Sequence, residues 1–177
     1  AMLVRANTLT KGFSGVRIEV VETLVNMLNS NVIPEVPSQG SLGSSGDLAP
    51  LSHLALVFTT DENDLEEDSG YAYYQGQRLS GKEAMKRSGI PRLILGAKEG
   101  LAINNGATFS AAIAALSLFD SRSLIDTAEI SLAMSLEAML GCNSAFDHRI
   151  HAARGQLGQM EVADNVRKFI QNSNLIN

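Results

Sequence analysis

The sequence of 177 residues contains no tryptophan and a single cysteine, Cys142. A lone thiol cannot close an internal disulfide, so a disulfide-stabilised secreted fold is excluded and a reducing compartment is expected. An uninterrupted apolar run is also missing, because Asn104, Asn105 and Thr108 break up the longest uncharged stretch. A membrane-spanning helix needs about 20 predominantly apolar residues. We therefore expect a cytoplasmic protein that does not cross a membrane.

Positive charge is scarce as well. The chain has 14 Lys and Arg residues against 19 Asp and Glu residues, which gives a formal net charge of −5. Surfaces that bind phosphate need clustered Lys and Arg, so neither nucleic acid nor an anionic membrane is an expected partner. His148 and His151 lie three residues apart, but no further pair of ligands has a supporting spacing. No metal site is therefore expected.

Apolar residues make up 45% of the chain and charged residues 19%, which is the balance of a globular protein with a sizeable core. Apolar residues recur every three or four positions over residues 16–28, and this spacing predicts an amphipathic helix. A second helix is predicted over residues 47–58, with Asp47 as its N-cap and Pro50 in its first turn.

The most extended apolar segment, residues 107–140, predicts a long helix, with Asp120-Ser121 as a candidate for a bend or a break. Residues 71–79 predict a short hairpin that turns near Gly76. Strands and helices do not alternate in a βαβ pattern along the chain. The sequence therefore predicts a mainly α fold, a helical bundle with long central helices and a small β-hairpin excursion, with residues 1–177 as a single domain.

A glycine-rich segment, residues 40–46, directly precedes the second predicted helix, and we call it the glycine loop. Three chemistries need such a loop. A phosphate cradle would continue with Gly-Lys-Ser or Gly-Lys-Thr, whereas here Asp47 follows and would repel phosphate. A serine nucleophile on a sharp elbow needs the spacing Gly-x-Ser-x-Gly, which Gly43-Ser44-Ser45-Gly46 does not match.

The third chemistry is backbone cyclisation, for which the order Ser44-Ser45-Gly46 is suitable. In a tight bend, the nitrogen of Gly46 can attack the carbonyl carbon of Ser44, because glycine tolerates strained angles and its nitrogen is unhindered. Ser45 can then lose its hydroxyl as water and leave an exocyclic C=C. The start of a helix at Asp47 would stabilise negative charge that develops on this electrophile.

Residues 43–53, GSSGDLAPLSH, resemble the signature of the aromatic amino acid lyase family, which includes histidine, phenylalanine and tyrosine ammonia-lyases and related aminomutases. Residues 5–17, 98–106 and 145–151 are similar to three further segments of the family and occur in the same order. The resemblance therefore covers nearly the whole chain and does not rest on one motif.

The resemblance implies a methylidene-imidazolone group (MIO) formed from Ser44, Ser45 and Gly46, with no external cofactor. Asp47 matches the carboxylate that the family uses in ring formation, and Asn105 matches the asparagine beside the ring. Ser44 stands where the family usually has alanine. Its side chain lies outside the new ring, so we expect cyclisation to survive this change.

The resemblance also implies an activity in amino acid catabolism: the elimination of ammonia from an aromatic L-amino acid in a homo-oligomer, a tetramer in the parent protein. Histidine is the first choice of substrate, and a phenylalanine or tyrosine ammonia-lyase or an aminomutase remains an alternative. The family's catalytic tyrosine and further substrate-binding residues match nothing in the chain. We therefore expect a central slice of a longer enzyme, inactive alone, or else a non-catalytic helical assembly remnant.

Overall fold

A computed structural model describes residues 1–176. The chain divides into two compact units, Ala1–Ala115 and Leu116–Asn177. Helices dominate both units and strands are few and short, so the predicted mainly α fold is confirmed. The interpretation of residues 1–177 as a single domain stays a prediction.

The first unit contains five helices that are complete within it. They are α1 (Met2–Leu9), α2 (Ile18–Asn29), α3 (Leu48–Phe58), α4 (Gly81–Ser88) and α5 (Glu99–Asn104). The amphipathic helix predicted over residues 16–28 is confirmed as α2, whose stripe of Val20, Leu24 and Met27 is fully buried. The second predicted helix is confirmed as α3, which has Asp47 at its N-cap position and Pro50 in its first turn.

Five short strands accompany these helices. They are β1 (Ile33–Pro34), β2 (Thr59–Thr60), β3 (Tyr71–Tyr74), β4 (Gln77–Ser80) and β5 (Leu93–Ile94). The predicted hairpin is confirmed: β3 and β4 are antiparallel and turn at Gln75-Gly76, where both residues have positive φ. Strand β1 adds to the free edge of β3, and β2 pairs with β5 in parallel. Sequence analysis missed β1, β2 and β5 because two residues are too few to produce a periodic pattern.

The core of the first unit is built around α3. Its Leu54, Val57 and Phe58 are almost completely buried, and they belong to one cluster with Leu24 and Met85 of the neighbouring helices. Helix α3 packs against α5 and α4. Because close-packed interiors resist displacement, the N-terminal end of α3 is a firm base for the glycine loop that precedes it.

The long helix α6 (Thr108–Ala138) begins in the first unit and continues into the second. It runs without interruption through Asp120-Ser121, so the helix has no break at that point. Helices α7 (His148–Arg154) and α8 (Leu157–Phe169) complete the second unit. The core of that unit is small and consists of Ala133, Val166 and Ile170.

Most of α6 is exposed. Among the residues of α6, only Thr108, Glu129 and Ala133 are buried. Its large exposed apolar side chains are Ile113, Leu116, Leu118, Phe119, Leu124, Ile125, Ile130, Leu132 and Met134. Within residues 1–176, the segment Glu99–Ala138 is long and apolar enough, by length and composition alone, to cross a membrane. The expectation that no segment reaches that limit was therefore wrong, although core helices of soluble proteins also reach it.

Candidate active site

The glycine loop packs tightly against the turn between α5 and α6, which we call the 105–106 turn after Asn105 and Gly106. Gly43 and Gly46 have φ values of 71° and 113°. A Cβ atom added at Gly46 would lie 2.6 Å from the carbonyl carbon of Gly106, so any side chain there would clash with backbone. The loop is therefore a constrained segment and not a slack linker. Ser44 and Ser45 lie on its exposed side.

Asp47 is the most constrained residue of the predicted site, with only 2% of its surface exposed. Although it occupies the N-cap position of α3, its side chain does not cap that helix. Oδ2 accepts a hydrogen bond from the backbone N–H of Ser110 at 2.8 Å, and Oδ1 accepts from the hydroxyl of Ser110 at 2.9 Å. Asp47 therefore caps the first turn of α6, whose N–H groups have no partner within their own helix.

The environment of Asp47 favours its ionised form. The backbone N–H of Ser110 is the largest influence lowering its pKa, and the hydroxyls of Ser110 and Ser41 lower it further, whereas burial acts in the opposite direction. The hydroxyl of Ser41 donates to Oδ1 at 3.0 Å, which fastens the glycine loop to the same carboxylate. A buried anion is therefore fixed directly beside the Ser44-Ser45-Gly46 segment.

The 105–106 turn completes this arrangement. The carbonyl oxygen of Gly106 accepts a hydrogen bond from the backbone N–H of Asp47 at 2.8 Å. Asn105 is exposed and ends α5 with an extended backbone, φ −98° and ψ 124°. The structure thus brings Gly46, Asp47 and the 105–106 turn into direct contact, although these residues are separated by nearly 60 positions in the sequence.

Arg5 lies behind the 105–106 turn and was not predicted as a site residue. Only 3% of its surface is exposed. Its guanidinium donates to the carbonyl oxygens of Ala102 and Asn105, the latter at 2.7 Å, and to the hydroxyl of Thr108 at 3.3 Å. One signal in the sequence could have identified it: Arg5 precedes the buried Leu9 by four residues and therefore shares the inward face of α1.

Glu99 joins two of the segments that carry the family resemblance. Its Oε1 accepts from the backbone N–H and Nε of Arg17 at 2.9 and 3.0 Å, and its Oε2 accepts from Nη2 of Arg17 and the N–H of Gly96. The hydrogen bonds from Arg17 are the main cause that lowers the pKa of Glu99 to about 2. Sequence analysis missed this pair because its members are 82 residues apart.

Asn104 connects the end of α5 to α3. Its Nδ2 donates to the hydroxyl of Ser52 at 3.3 Å, whereas its Oδ1 is buried without a hydrogen-bond partner among the described residues. A separate cavity of about 730 Å³ is lined by residues that include His53, Asp64 and Arg92. None of the residues predicted for the site lines that cavity, so the glycine loop stands apart from it.

These features define a class of protein: a mainly helical scaffold that holds a constrained glycine loop at the start of one helix and a buried carboxylate at the start of another. A sequence model of the family described as aromatic amino acid lyase matches residues 1–177. The histidine ammonia-lyase of Caldanaerobacter subterraneus subsp. tengcongensis is 48% identical over 175 residues, which cover 99% of this chain and 33% of that protein.

Solved structures agree with this match. The phenylalanine aminomutase of Pantoea agglomerans has a TM-score of 0.89 at 32% identity, covering 99% of this chain and 32% of that one. The histidine ammonia-lyase of Trypanosoma cruzi has a TM-score of 0.83 at 36% identity, covering 94% of this chain and 31% of that one. The chain belongs to the aromatic amino acid lyase family, and it spans about a third of the length of the relatives it matches.

Proposed function

We propose that this chain is the segment of an ammonia-lyase in which Ser44, Ser45 and Gly46 form the MIO group. The observation that carries the proposal is the contact of Gly46 and Asp47 with the 105–106 turn, since it holds the loop closely where ring closure must occur. The residues present fit the group, because only glycine is accommodated at position 46 and the carboxylate of Asp47 is held ionised beside it.

Ring closure balances as the loss of two waters. The nitrogen of Gly46 bonds to the carbonyl carbon of Ser44, and that carbonyl oxygen leaves as water with the amide protons of Ser45 and Gly46. Ser45 then loses its α-proton and its hydroxyl as a second water, which leaves an exocyclic C=C and changes no overall oxidation level. When present, the MIO supplies an electrophile for the amine of an amino acid substrate.

The chain's own residues have distinct roles in this proposal. Asp47 is the ionised group available to accept a proton during ring closure, and Ser41 and Ser110 hold it in place. Asn105 ends α5 at the turn that touches the loop, and this position supports the proposal that it lies beside the ring. The residue that removes the β-proton of the substrate lies outside these 177 residues, as the family resemblance implies.

The proposed substrate is an aromatic L-amino acid, with histidine as the first choice. Two relatives named histidine ammonia-lyase are 48% and 49% identical to this chain, whereas the phenylalanine aminomutase is 32% identical. A phenylalanine or tyrosine ammonia-lyase or an aminomutase remains the alternative reaction. A role in amino acid catabolism and a cytoplasmic location belong to the same proposal.

A second candidate function is a non-catalytic helical assembly remnant, and the exposed apolar surface of α6 favours it. Such a surface needs a partner in water. The same surface supports the proposal of a homo-oligomer, a tetramer, for the active enzyme, so exposure alone does not separate the two functions.

An assay of ammonia release distinguishes the ammonia-lyase from the assembly remnant. We expect the full-length protein to release ammonia from histidine and form an α,β-unsaturated acid, which absorbs in the ultraviolet. The Ser45→Ala variant is the control, because alanine has no hydroxyl to lose and cannot form the exocyclic C=C. Wild-type protein that converts none of histidine, phenylalanine and tyrosine would favour the assembly remnant.

A further inference from the structure

Arg5 is a buried cation whose hydrogen-bond partners are all neutral. Among the described residues they are the carbonyl oxygens of Ala102 and Asn105 and the hydroxyl of Thr108. A buried charge without an opposite charge is costly and persists where it has a specific purpose. The C-terminal end of α5 offsets part of this cost, because unpaired carbonyl groups at a helix C-terminus attract cations.

The three acceptors of Arg5 surround the 105–106 turn. The carbonyl groups of Ala102 and Asn105 lie at the end of α5, and Thr108 begins α6. A guanidinium is a rigid, planar fork of donors, so it fixes the relative positions of the groups that it binds. A Cβ atom added at Gly106 would lie 2.8 Å from Nη1 of Arg5, so the turn rests directly on the guanidinium.

The opposite side of the same turn touches the glycine loop. The carbonyl oxygen of Gly106 accepts a hydrogen bond from the backbone N–H of Asp47, and its carbonyl carbon lies 2.6 Å from the position that a Cβ atom of residue 46 would take. The 105–106 turn therefore lies between Arg5 and the two residues Gly46 and Asp47. A shift of this turn would move the backbone of Gly106, against which the glycine loop packs.

We propose that Arg5 is a positioning residue for ring closure: its guanidinium fixes the 105–106 turn as the surface against which Gly46 and Asp47 are held. This inference rests on the proposed function, because it concerns how the ring forms. Lysine would keep the charge at this position. Its single ammonium lacks the planar fork that joins Ala102, Asn105 and Thr108, so charge alone does not replace Arg5.

The test compares Arg5→Lys with wild type in the full-length protein, with the fraction of ring-closed chains as the readout. Intact mass gives this fraction, because each closed chain is lighter by about 36 Da, the mass of two waters. Displacement of reacting groups by about 1 Å can slow a reaction by about 10²-fold. At a fixed time after induction we therefore expect mainly unmodified mass in Arg5→Lys.

A matched control separates positioning from general loss of stability. Arg17 makes three hydrogen bonds to Glu99 in the same unit, and Arg17→Lys removes the guanidinium that donates two of them. The hydrogen bonds of Arg17 do not involve the 105–106 turn. We expect this variant to have a lower melting temperature and normal ring closure. In Arg5→Lys we expect reduced ring closure even among molecules that are folded by circular dichroism, whereas folded molecules of the control should be fully closed.

Thr108 provides a second pair of variants if Arg5→Lys does not fold. Thr108→Val removes one acceptor of the guanidinium, and Thr108→Ser keeps it. We expect partial ring closure in the first variant and wild-type closure in the second. Complete closure in folded Arg5→Lys, or in Thr108→Val when Arg5→Lys does not fold, would overturn the role of Arg5. Absence of the 36 Da difference in wild type would instead overturn the proposed function and this inference with it.

Discussion

The two compact units differ in how many of their apolar side chains are buried. Among the described residues, fifteen buried apolar residues form the core cluster of the first unit, whereas three form that of the second. The second unit meanwhile exposes Leu118, Phe119, Leu124 and Ile125 along α6. The first unit therefore holds the glycine loop by its own packing. The second unit leaves an apolar surface exposed, of the kind that commonly marks a site of association.

The largest expected effect concerns catalysis, because we expect the 177 residues alone to be inactive. The first unit carries the proposed electrophile, whereas the family resemblance implies that the tyrosine that removes the proton lies outside this chain. General acid–base catalysis is typically worth ~10²–10⁴-fold, and missing substrate-positioning groups add to that loss. We expect no detectable release of ammonia from histidine, phenylalanine or tyrosine under conditions in which the full-length protein is active. Robust turnover by this chain would contradict the account.

Two alanine substitutions compare the interiors of the units directly. Phe58 is fully buried in the first unit, whereas Phe119 of the second is 71% exposed. We expect Phe58→Ala to lower the free energy of unfolding by about 3–5 kcal/mol. Phe119→Ala should change it by less than about 0.5 kcal/mol in dilute protein, as surface substitutions usually do. Denaturant unfolding followed by circular dichroism measures both, and equal losses would refute the comparison.

The stability of the chain at low pH compares one ion pair of the first unit with one of the second. The pKa of Glu99 is lowered to about 2 in the folded chain, from an ordinary value of 4.5. Stability from Glu99 is therefore present above pH 4.5 and is lost as the pH falls towards 2, by up to about 3 kcal/mol. We expect Glu99→Gln to be less stable at neutral pH and to lose little further stability over this range.

Asp147 in the second unit is the control for Glu99. Arg149 lowers the pKa of Asp147 as well, but the side chain of Arg149 is almost fully exposed. Exposed ion pairs contribute little to stability. Asp147→Asn should therefore leave the acid titration of stability nearly unchanged. A larger effect from Asp147→Asn than from Glu99→Gln would show that burial does not decide these contributions.

The smallest expected effect concerns the self-association of the chain. We predict that the chain self-associates through α6, with twofold symmetry as the commonest arrangement. Leu132 is exposed, whereas Leu136 packs against the core of the second unit. Leu132→Glu should therefore weaken self-association without unfolding the chain, and sedimentation at micromolar concentration measures this. A wild-type chain that sediments as a clean monomer would exclude the association.

Much of the site could be predicted from local sequence. The order Ser44-Ser45-Gly46 and the helix start at Asp47 are neighbours in the chain, so the loop and its carboxylate could be identified from spacing. The contacts that Ser110 makes with Asp47 and Arg5 makes with Asn105 could not be predicted, because they join positions about 60 and 100 residues apart. The spacing of Arg5 and Leu9 indicates only that Arg5 faces inward. Periodicity describes one element at a time and contains no information about which distant element faces it.

The long helix illustrates the same limit for the fold. Its composition predicted α6 correctly. The helix does not break at Asp120-Ser121, since polar residues on an exposed helix do not interrupt its backbone hydrogen bonds. A helix that is apolar on most sides is typical of a buried one, yet most of α6 is exposed. Composition therefore predicts the helix but does not identify what covers it.

The most direct test of the central claim is the mass of the peptide that contains the glycine loop. After proteolysis of the active full-length protein, the peptide that includes Ser44, Ser45 and Gly46 should be lighter than its sequence mass by about 36 Da, the mass of two waters. Fragmentation should place the whole difference within these three residues. A peptide with unmodified mass from active protein would contradict the account.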